Sequence, residues 1–240
     1  MMLLAPAASA QGGTVGLEAT VDGRPVGAST LVLDPAETNL KVSVTVRNDT
    51  DTVQRVKIVR LSGTALAMTF FAYDTTVPFD VPAKQTVTRG FPLDLSDLGS
   101  QAIGLLPTKV EVLTPERDVL AEVEVTGDVR GSLWSVYGVF GLAVLVLTIL
   151  SWLGALIALA RRRLPANRWQ RAMRFLPAGI GTGLVAVFSL SVLRFVPPSP
   201  TAEIPFIVGA AGAALLLGYL TPHPGDASSD VDTTTTVRLT

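Results

Sequence analysis

The 28 residues Leu133–Ala160, LWSVYGVFGLAVLVLTILSWLGALIALA, contain no charged side chain. A helix of this length can cross a hydrocarbon core of about 30 Å even when it is tilted. Trp134 and Tyr137 stand at one end of the run, where amphipathic rings favour lipid headgroups, and Arg161 follows the other end. The stretch predicts a transmembrane helix at residues 133–160.

Two further apolar runs follow, at residues 178–196 and 204–220. The segment between them, 197–203, is rich in proline and too short for more than a turn at one membrane face. We therefore expect a transmembrane helical hairpin. Arg194 is the one charge inside its first arm, and a long arginine near an interface usually snorkels to the headgroups, although intramembrane charge can also mark a transport path. Glu203 is close enough in sequence to pair with it.

Small residues four apart occur in both arms of this hairpin. Gly179 and Gly183 lie in the first arm, and Gly209 and Ala213 lie in the second. Small residues at this spacing let helix backbones approach closely, so these four positions predict helix packing, either within the hairpin or between chains. The glycines do not form a phosphate-binding loop, because no strand precedes them and the Lys-Thr ending of such loops is missing.

Basic residues are concentrated between the first two spans. Residues 161–177 carry six arginines and no acid, and the spacing of the apolar residues within 165–175 is that of an amphipathic helix. The positive-inside rule places this segment in the cytoplasm, with residues 11–130 outside and the tail 221–240 inside. The segment is either an inner-leaflet contact or a simple stop-transfer cluster. The residues expected at this inner interface are Arg161, Arg162, Arg163, Arg168, Trp169, Arg171 and Arg174.

Residues 11–130 show the period of two that is typical of half-buried strands. Leu40, Val42, Val44 and Val46 alternate with polar residues, and a similar alternation returns from Val119 onwards. Turn signals such as Asp22-Gly23 separate about seven or eight such runs. The pattern predicts an all-β, immunoglobulin-like sandwich outside the membrane, joined to an α-helical membrane domain of three spans.

The stretch Asp94–Pro107 breaks this alternation and predicts a short helical turn or loop. Several residues here and upstream are more apolar than a surface loop requires. Such residues usually close the end of a sandwich, and the alternative is an exposed patch that docks on a partner or on lipid. The residues of this patch are Phe70, Phe71, Ile103, Leu105 and Leu106.

The N-terminal residues suggest that the protein is exported. Residues 1–10 end in Ala8-Ser9-Ala10, which fits the small-residue pattern read by signal peptidase, so we expect the remnant of a signal peptide. The alternative is an ordinary flexible terminus. The composition, rich in alanine, valine and arginine, is typical of high-GC bacteria. The expected location is the cytoplasmic membrane of a bacterial cell envelope, with the N-terminal domain outside.

Chemistry-bearing residues are sparse. The single histidine, His223, lies in the tail, and the chain has no cysteine, so the exported domain offers neither a histidine-based triad nor a thiolate site. The pairs Asp49/Asp51 and Asp94/Asp97 are typical of turns and helix caps, although a hydrolase or calcium site built on them is conceivable. We expect no enzyme activity, cofactor or metal.

These features favour a binding or scaffold protein. The predicted partners are the lipid bilayer and either a membrane protein or a second copy of the chain, because three spans exceed what anchoring needs. Residues 11–130 carry 16 acids against 11 bases, which disfavours nucleic acid. The function expected from sequence is a non-catalytic envelope subunit that presents its β-domain beside the membrane. The alternative is an accessory subunit of a transporter or secretion apparatus.

Overall fold

The computed structural model describes residues 15–27, 30–36, 40–161 and 163–221. The predicted signal-peptide remnant, Arg162, His223 and the tail from residue 222 lie outside these ranges. The strands are β1 (Val15–Val21), β2 (Arg24–Pro25), β3 (Leu31–Leu33), β4 (Leu40–Asn48), β5 (Gln54–Ala65), β6 (Met68–Val81), β7 (Thr86–Leu93), β8 (Gly104–Leu113) and β9 (Val119–Val129). The helices are α1 (Leu98–Gln101), α2 (Val136–Ala160), α3 (Arg168–Val192) and α4 (Pro200–Leu220).

The strands form two sheets. One has four strands in the order β2-β1-β4-β7, and the other has five in the order β3-β9-β8-β5-β6. Neighbouring strands are antiparallel except for the parallel pair of β3 and β9. Apolar side chains of both sheets, among them Val42 and Leu61, line a common interior. Two β-sheets followed by three long apolar helices are therefore confirmed.

The alternation in β4 corresponds to burial as expected. Leu40, Val42, Val44 and Val46 are buried, and Lys41 is exposed. The alternation of β9 begins later than predicted: Val119 is 51% exposed, because the pairing of β8 with β9 shifts register at this end. The turn predicted at Asp22-Gly23 is present between β1 and β2, with φ angles of 48° and 76° that this residue pair tolerates.

A long hairpin of β5 and β6 is the main departure from the predicted strands. It reverses at Leu66 and Ala67, whose φ angles are 50° and 60°, and Ala65 pairs with Met68. The positive φ angles at both central positions are those of a type I′ turn, which normally carries asparagine and glycine. Gly63 lies beneath the ring of Phe71, which occupies the place of a Cβ.

The segment 94–107 is only partly the predicted helical turn or loop. Helix α1 covers Leu98–Gln101, and β8 already begins at Gly104. Leu105 and Leu106 therefore belong to a strand, where their backbones pair with Asp128 and Gly127 of β9.

The three long helices are each long and apolar enough to cross a membrane. The helix α3 begins at Arg168, inside the segment 165–175 whose spacing is that of an amphipathic helix, and it runs without a break into the apolar run that starts at residue 178. Asn167 accepts a hydrogen bond from the Trp169 amide at 2.9 Å, which satisfies one free donor at the start of α3. The helix then continues through Pro177. The start of the apolar run at residue 178 is therefore not the start of the helix.

Two compact units make up the structure. The first contains the residues up to Phe140 together with Phe188–Ala202, and the second contains Gly141–Val187 together with the residues from Glu203 onwards. The strands thus share their unit with the first turn of α2 and the last turn of α3. This shared unit holds hydrogen bonds, ring contacts and an ion pair between strands and helix ends.

Candidate functional site

The junction between strands and helix ends is the candidate site, and it lies wholly within the first unit. The strands β6, β8 and β9 each bring one residue to the first turn of α2 or to the end of α3. We define the junction by Phe70, Leu105, Asp128, Tyr137, Phe140, Phe188, Ser191 and Arg194.

Two buried hydroxyl groups connect α2, α3 and β8. The Tyr137 hydroxyl donates to the Ser191 Oγ at 2.9 Å, and the Ser191 hydroxyl donates to the backbone oxygen of Leu105 at 2.7 Å. Tyr137 and Ser191 are fully buried. A buried hydroxyl without a partner costs about 1–3 kcal/mol, so this chain of donors favours one arrangement of the three elements.

An aromatic cluster surrounds these hydroxyls. The ring of Phe70 packs edge-on against Tyr137, with centroids 4.8 Å apart, and lies 6.0 Å from Phe140. Phe188 lies 5.0 Å from Tyr137 and 5.5 Å from Phe140. Aromatic pairs at such separations contribute about 0.5–1.5 kcal/mol each beyond their burial. The cluster therefore fixes β6 against the helix ends.

An ion pair joins β9 to the end of α3. The Arg194 Nε donates to the Asp128 Oδ1 at 2.6 Å, and the Asp128 side chain is only 16% exposed. The sequence suggested headgroups or Glu203 as the partner of Arg194, and the structure shows Asp128 as a partner that the sequence did not suggest. Helix α3 ends at Val192, so Arg194 lies beyond the helix.

The backbone at Arg194 closes α3 in an unusual way for its residue type. The Phe195 amide donates to the Leu190 oxygen at 2.9 Å, and the Arg194 amide donates to the Ser191 oxygen at 3.0 Å. This is the Schellman ending of a helix, whose left-handed position is usually glycine. Arg194 adopts it with a φ of 63°. The ion pair with Asp128 helps to offset the strain of placing a side chain there.

Two glycines allow the backbones of the junction to touch. Gly104 has a φ of +89°, and a Cβ there would lie 2.5 Å from the Ser191 oxygen and 2.7 Å from the Val192 Cα. Gly131 lies against the Ala102 oxygen. Two backbone hydrogen bonds also fix the short connection from β9 to α2. The Arg130 amide donates to the Leu33 oxygen at 3.0 Å. The Ser132 amide donates to the Gly99 oxygen, also at 3.0 Å.

The predicted apolar patch lies largely in the interior. Phe71, Ile103 and Leu106 are buried at 2%, 8% and 0% exposure. Leu105 is half-buried, and Phe70 is half-buried beneath the rings of α2. These side chains close the end of the β-domain and do not form a free surface.

The small residues predicted for helix packing divide into two groups, all in the second unit. Gly179 packs on Ala210, Ala211 and Ala214, and Gly183 packs on Phe206 and Ile207. Gly209 has no heavy atom within 4 Å of its Cβ position in the described part of the chain, and Ala213 is exposed. The sequence missed Gly218, which lies against Ala172 and Phe175.

The predicted basic interface is mostly exposed. Arg161, Arg163, Arg168 and Arg174 face outwards, and Trp169 is 62% exposed with its ring 6.0 Å from Tyr219. Arg171 differs, because it is 1% exposed, and its Nε and Nη1 have no hydrogen-bond partner among the described residues. Among the five arginines of this segment that the structure describes, Arg171 is thus the buried one.

Three of the four aspartates in these pairs have a side-chain partner, while Asp97 stands at the start of α1 without a side-chain capping bond. The Asp94 Oδ1 accepts from the Ser96 amide at 2.9 Å, Asp49 pairs with Arg47 at 2.7 Å, and Asp51 pairs with Lys84 at 3.1 Å. Within the described ranges, no three His, Cys, Asp or Glu side chains are close enough together to hold a metal ion.

One tyrosine of the β-domain has a displaced pKa. Burial of its hydroxyl, with nearby Asp97 and Asp94, raises the pKa of Tyr73 to about 12. That hydroxyl has no hydrogen-bond partner in the part of the chain that the structure describes. The group is protonated at neutral pH and offers no base there.

Comparison with known proteins adds little to this geometry. No family model matches the chain, and no curated protein matches it. Among solved structures, the chain is similar to a β-glucosidase from Erythrobacter marinus at 14% identity and a TM-score of 0.30. The match covers 47% of this chain and 15% of that enzyme, so the chain spans a small part of its length. A likeness this low carries no argument about function.

Proposed function

We propose that this protein is a non-catalytic subunit of a membrane complex in the cell envelope, which presents an immunoglobulin-like β-sandwich at the outer face of the cytoplasmic membrane. The observation that carries the proposal is the junction, where three strands are joined to two helix ends. A domain that is merely anchored needs one span and a flexible linker.

The junction suits recognition because it restricts the orientation of the β-domain relative to the helix ends. Ordering a mobile side chain on association costs about 0.5–1.5 kcal/mol, and ordering a whole domain costs more. A domain held in advance by Tyr137, Ser191 and Arg194 avoids much of that cost when it binds a neighbour in the same membrane.

The orientation rests on charge. Six arginines and no acid lie in residues 161–176, and short loops of this kind remain in the cytoplasm. The strands, on the other side of α2, are then outside.

The absence of cysteine from the sequence permits a direct test of this orientation. We expect Glu116→Cys, in the exposed turn between β8 and β9, to react with a membrane-impermeant maleimide in intact cells. Arg163→Cys is the matched control, because it is also exposed and lies between α2 and α3. It should react only after the cells are permeabilised. The reverse pattern would invert the proposed topology.

A native pull-down tests the subunit role. We expect the tagged full-length protein, extracted in mild detergent, to retain a membrane protein in stoichiometric amount. Ser191→Ala should reduce that retention severalfold, because it removes the donor to the Leu105 oxygen and loosens the junction. Ser189→Ala makes the same change at an exposed site of α3 and should retain the partner.

The outcome also separates the alternatives. A multi-span permease or a secretion component as partner would favour the accessory-subunit role. A solitary protein from every detergent would contradict the complex altogether, and equal retention by the two serine variants would contradict the role of the junction.

A further inference from the structure

The tip of the β5–β6 hairpin is an apolar turn on a charge-free arm. We define the hairpin tip as Ala65–Met68. No charged residue occurs from Leu61 to Tyr73, and the arm begins at the ion pair of Arg60 with Asp74, whose Nε and Oδ1 are 2.7 Å apart. The hydrogen bond from Arg60 lowers the pKa of the Asp74 carboxyl, so the pair is charged at neutral pH. Arg60 and Asp74 are therefore the last charged residues before the hairpin tip on its two strands.

Strand pairing shows that the hairpin tip lies at the helix side of the β-domain. Gly63 pairs with Thr108, and β8 runs from there back to Gly104, the residue in contact with Ser191. Two residues beyond Gly63, the hairpin tip reaches the same end of the sheet. The opposite end carries the turn with Glu116.

The ring contacts of Phe70 show which residues of α2 this arm reaches. Its ring contacts Tyr137 and also Phe140, which is nearly one turn further into the helix. The turn residues Ala67 and Leu66 lie three and four residues beyond Phe70 along the chain, and each residue of a strand advances about 3.3 Å. The turn therefore lies about 10 Å beyond Phe70, at the end of the β-domain that meets the helix ends.

The residues of the turn suit contact with lipid better than contact with water. A type I′ turn in water normally carries glycine and asparagine, which tolerate positive φ and bond to solvent. This turn has Leu66 and Ala67 with φ angles of 50° and 60°. Ala67 is exposed and Met68 is 40% exposed, so apolar surface remains uncovered within the chain.

Other exposed apolar side chains lie beside the helix ends of the same unit. Trp134 is 80% exposed and Phe195 is 71% exposed. Rings of this kind at helix ends favour the boundary between headgroups and acyl chains. The first unit therefore exposes large apolar side chains at its helix ends as well as at the hairpin tip.

We propose that the hairpin tip inserts into the outer leaflet of the bilayer and is a third point of attachment of the β-domain, beside α2 and α3. The occupant of this surface is lipid. The inference rests on the proposed membrane orientation and adds a specific lipid contact to it. Insertion covers Ala67 and Met68 with acyl chains, while Arg60 and Asp74 stay in the aqueous phase.

The test uses single cysteines in the full-length protein in nanodiscs of pure phospholipid. Ala67→Cys carries an environment-sensitive fluorophore, and lipids with a doxyl quencher in the acyl chain are introduced. We expect blue-shifted emission and loss of about half of it to the quencher, as for a label in the interface. Glu116→Cys is the negative control, and Leu150→Cys, exposed within α2, is the positive control.

Each of the other outcomes contradicts either this inference or the proposed function. If Ala67→Cys emits as Glu116→Cys does while Leu150→Cys is quenched, the hairpin tip is in water and the inference is wrong. If its emission is blue-shifted but insensitive to doxyl lipid, the hairpin tip is covered by protein and the inference is again wrong. If Leu150→Cys is not quenched, the proposed membrane function itself is wrong. Met68→Cys repeats the measurement should the first variant fail to fold.

Discussion

Gly104→Val is expected to destabilise the first unit by about 3 kcal/mol or more, because it combines backbone strain with a steric clash. The φ of +89° at Gly104 is one that a β-branched residue strongly disfavours. Its Cβ would also lie 2.5 Å from the Ser191 oxygen, so β8 and the end of α3 must separate. Thermal unfolding of the full chain in detergent, followed by near-ultraviolet circular dichroism of the aromatic cluster, measures the loss.

Gly90→Val is the matched control for this substitution. Gly90 is exposed in the edge strand β7, and its Cβ position is 3.8 Å from the nearest atom, the Val42 oxygen. Valine favours strands, so this variant should unfold within about 1 kcal/mol of the parent. Equal stability of the two variants would mean that the contact at Gly104 does not hold the junction together.

Gly179→Leu is expected to separate α3 from α4 in the second unit. The added Cβ would lie 2.5 Å from the Ala214 Cβ and 2.7 Å from the Ala210 oxygen, and a backbone oxygen cannot move aside without bending its helix. Overpacking of this kind costs about 1–3 kcal/mol, and we expect the upper end of the range or more because backbone is involved. The midpoint of unfolding in mixed micelles of increasing SDS content measures it.

The chain offers a control of the same size on the partner helix. Gly209 is exposed, and within the described residues nothing lies within 4 Å of its Cβ position. Gly209→Leu should leave the midpoint unchanged, or raise it slightly because leucine favours helix. If both variants lower the midpoint equally, Gly209 packs against another chain, and self-association becomes the explanation.

The sequence predicted those elements whose signals are local. A run of 28 uncharged residues predicts the long apolar helix α2, and the alternation in β4 predicts which of its side chains are buried. The spacing of apolar residues within 165–175 indicated the helical segment in which α3 begins, but hydropathy could not show that this segment and the apolar run are one helix that passes through Pro177. The hairpin turn at Leu66 was missed for a related reason, since neither central residue is a turn former.

The junction could not be derived from sequence because its partners are distant along the chain. Arg194 and Asp128 are 66 positions apart, and Ser191 and Leu105 are 86 apart. The spacing of small residues along a helix also does not show which face of that helix packs against its neighbour. The four small residues predicted for packing therefore included Gly209, which faces away, and omitted Gly218, which is buried.

The separation of the junction's partners along the chain also sets the order in which the protein can be completed. A ribosome makes the nine strands and the first span before it makes Ser191 and Arg194. During that interval the Leu105 oxygen and the Asp128 carboxylate have no partner from α3. The β-domain thus matures only after α3 has been synthesised and has taken its place. A chain in which the end of α3 does not reach this position keeps an incomplete junction, which proteases and chaperones can recognise.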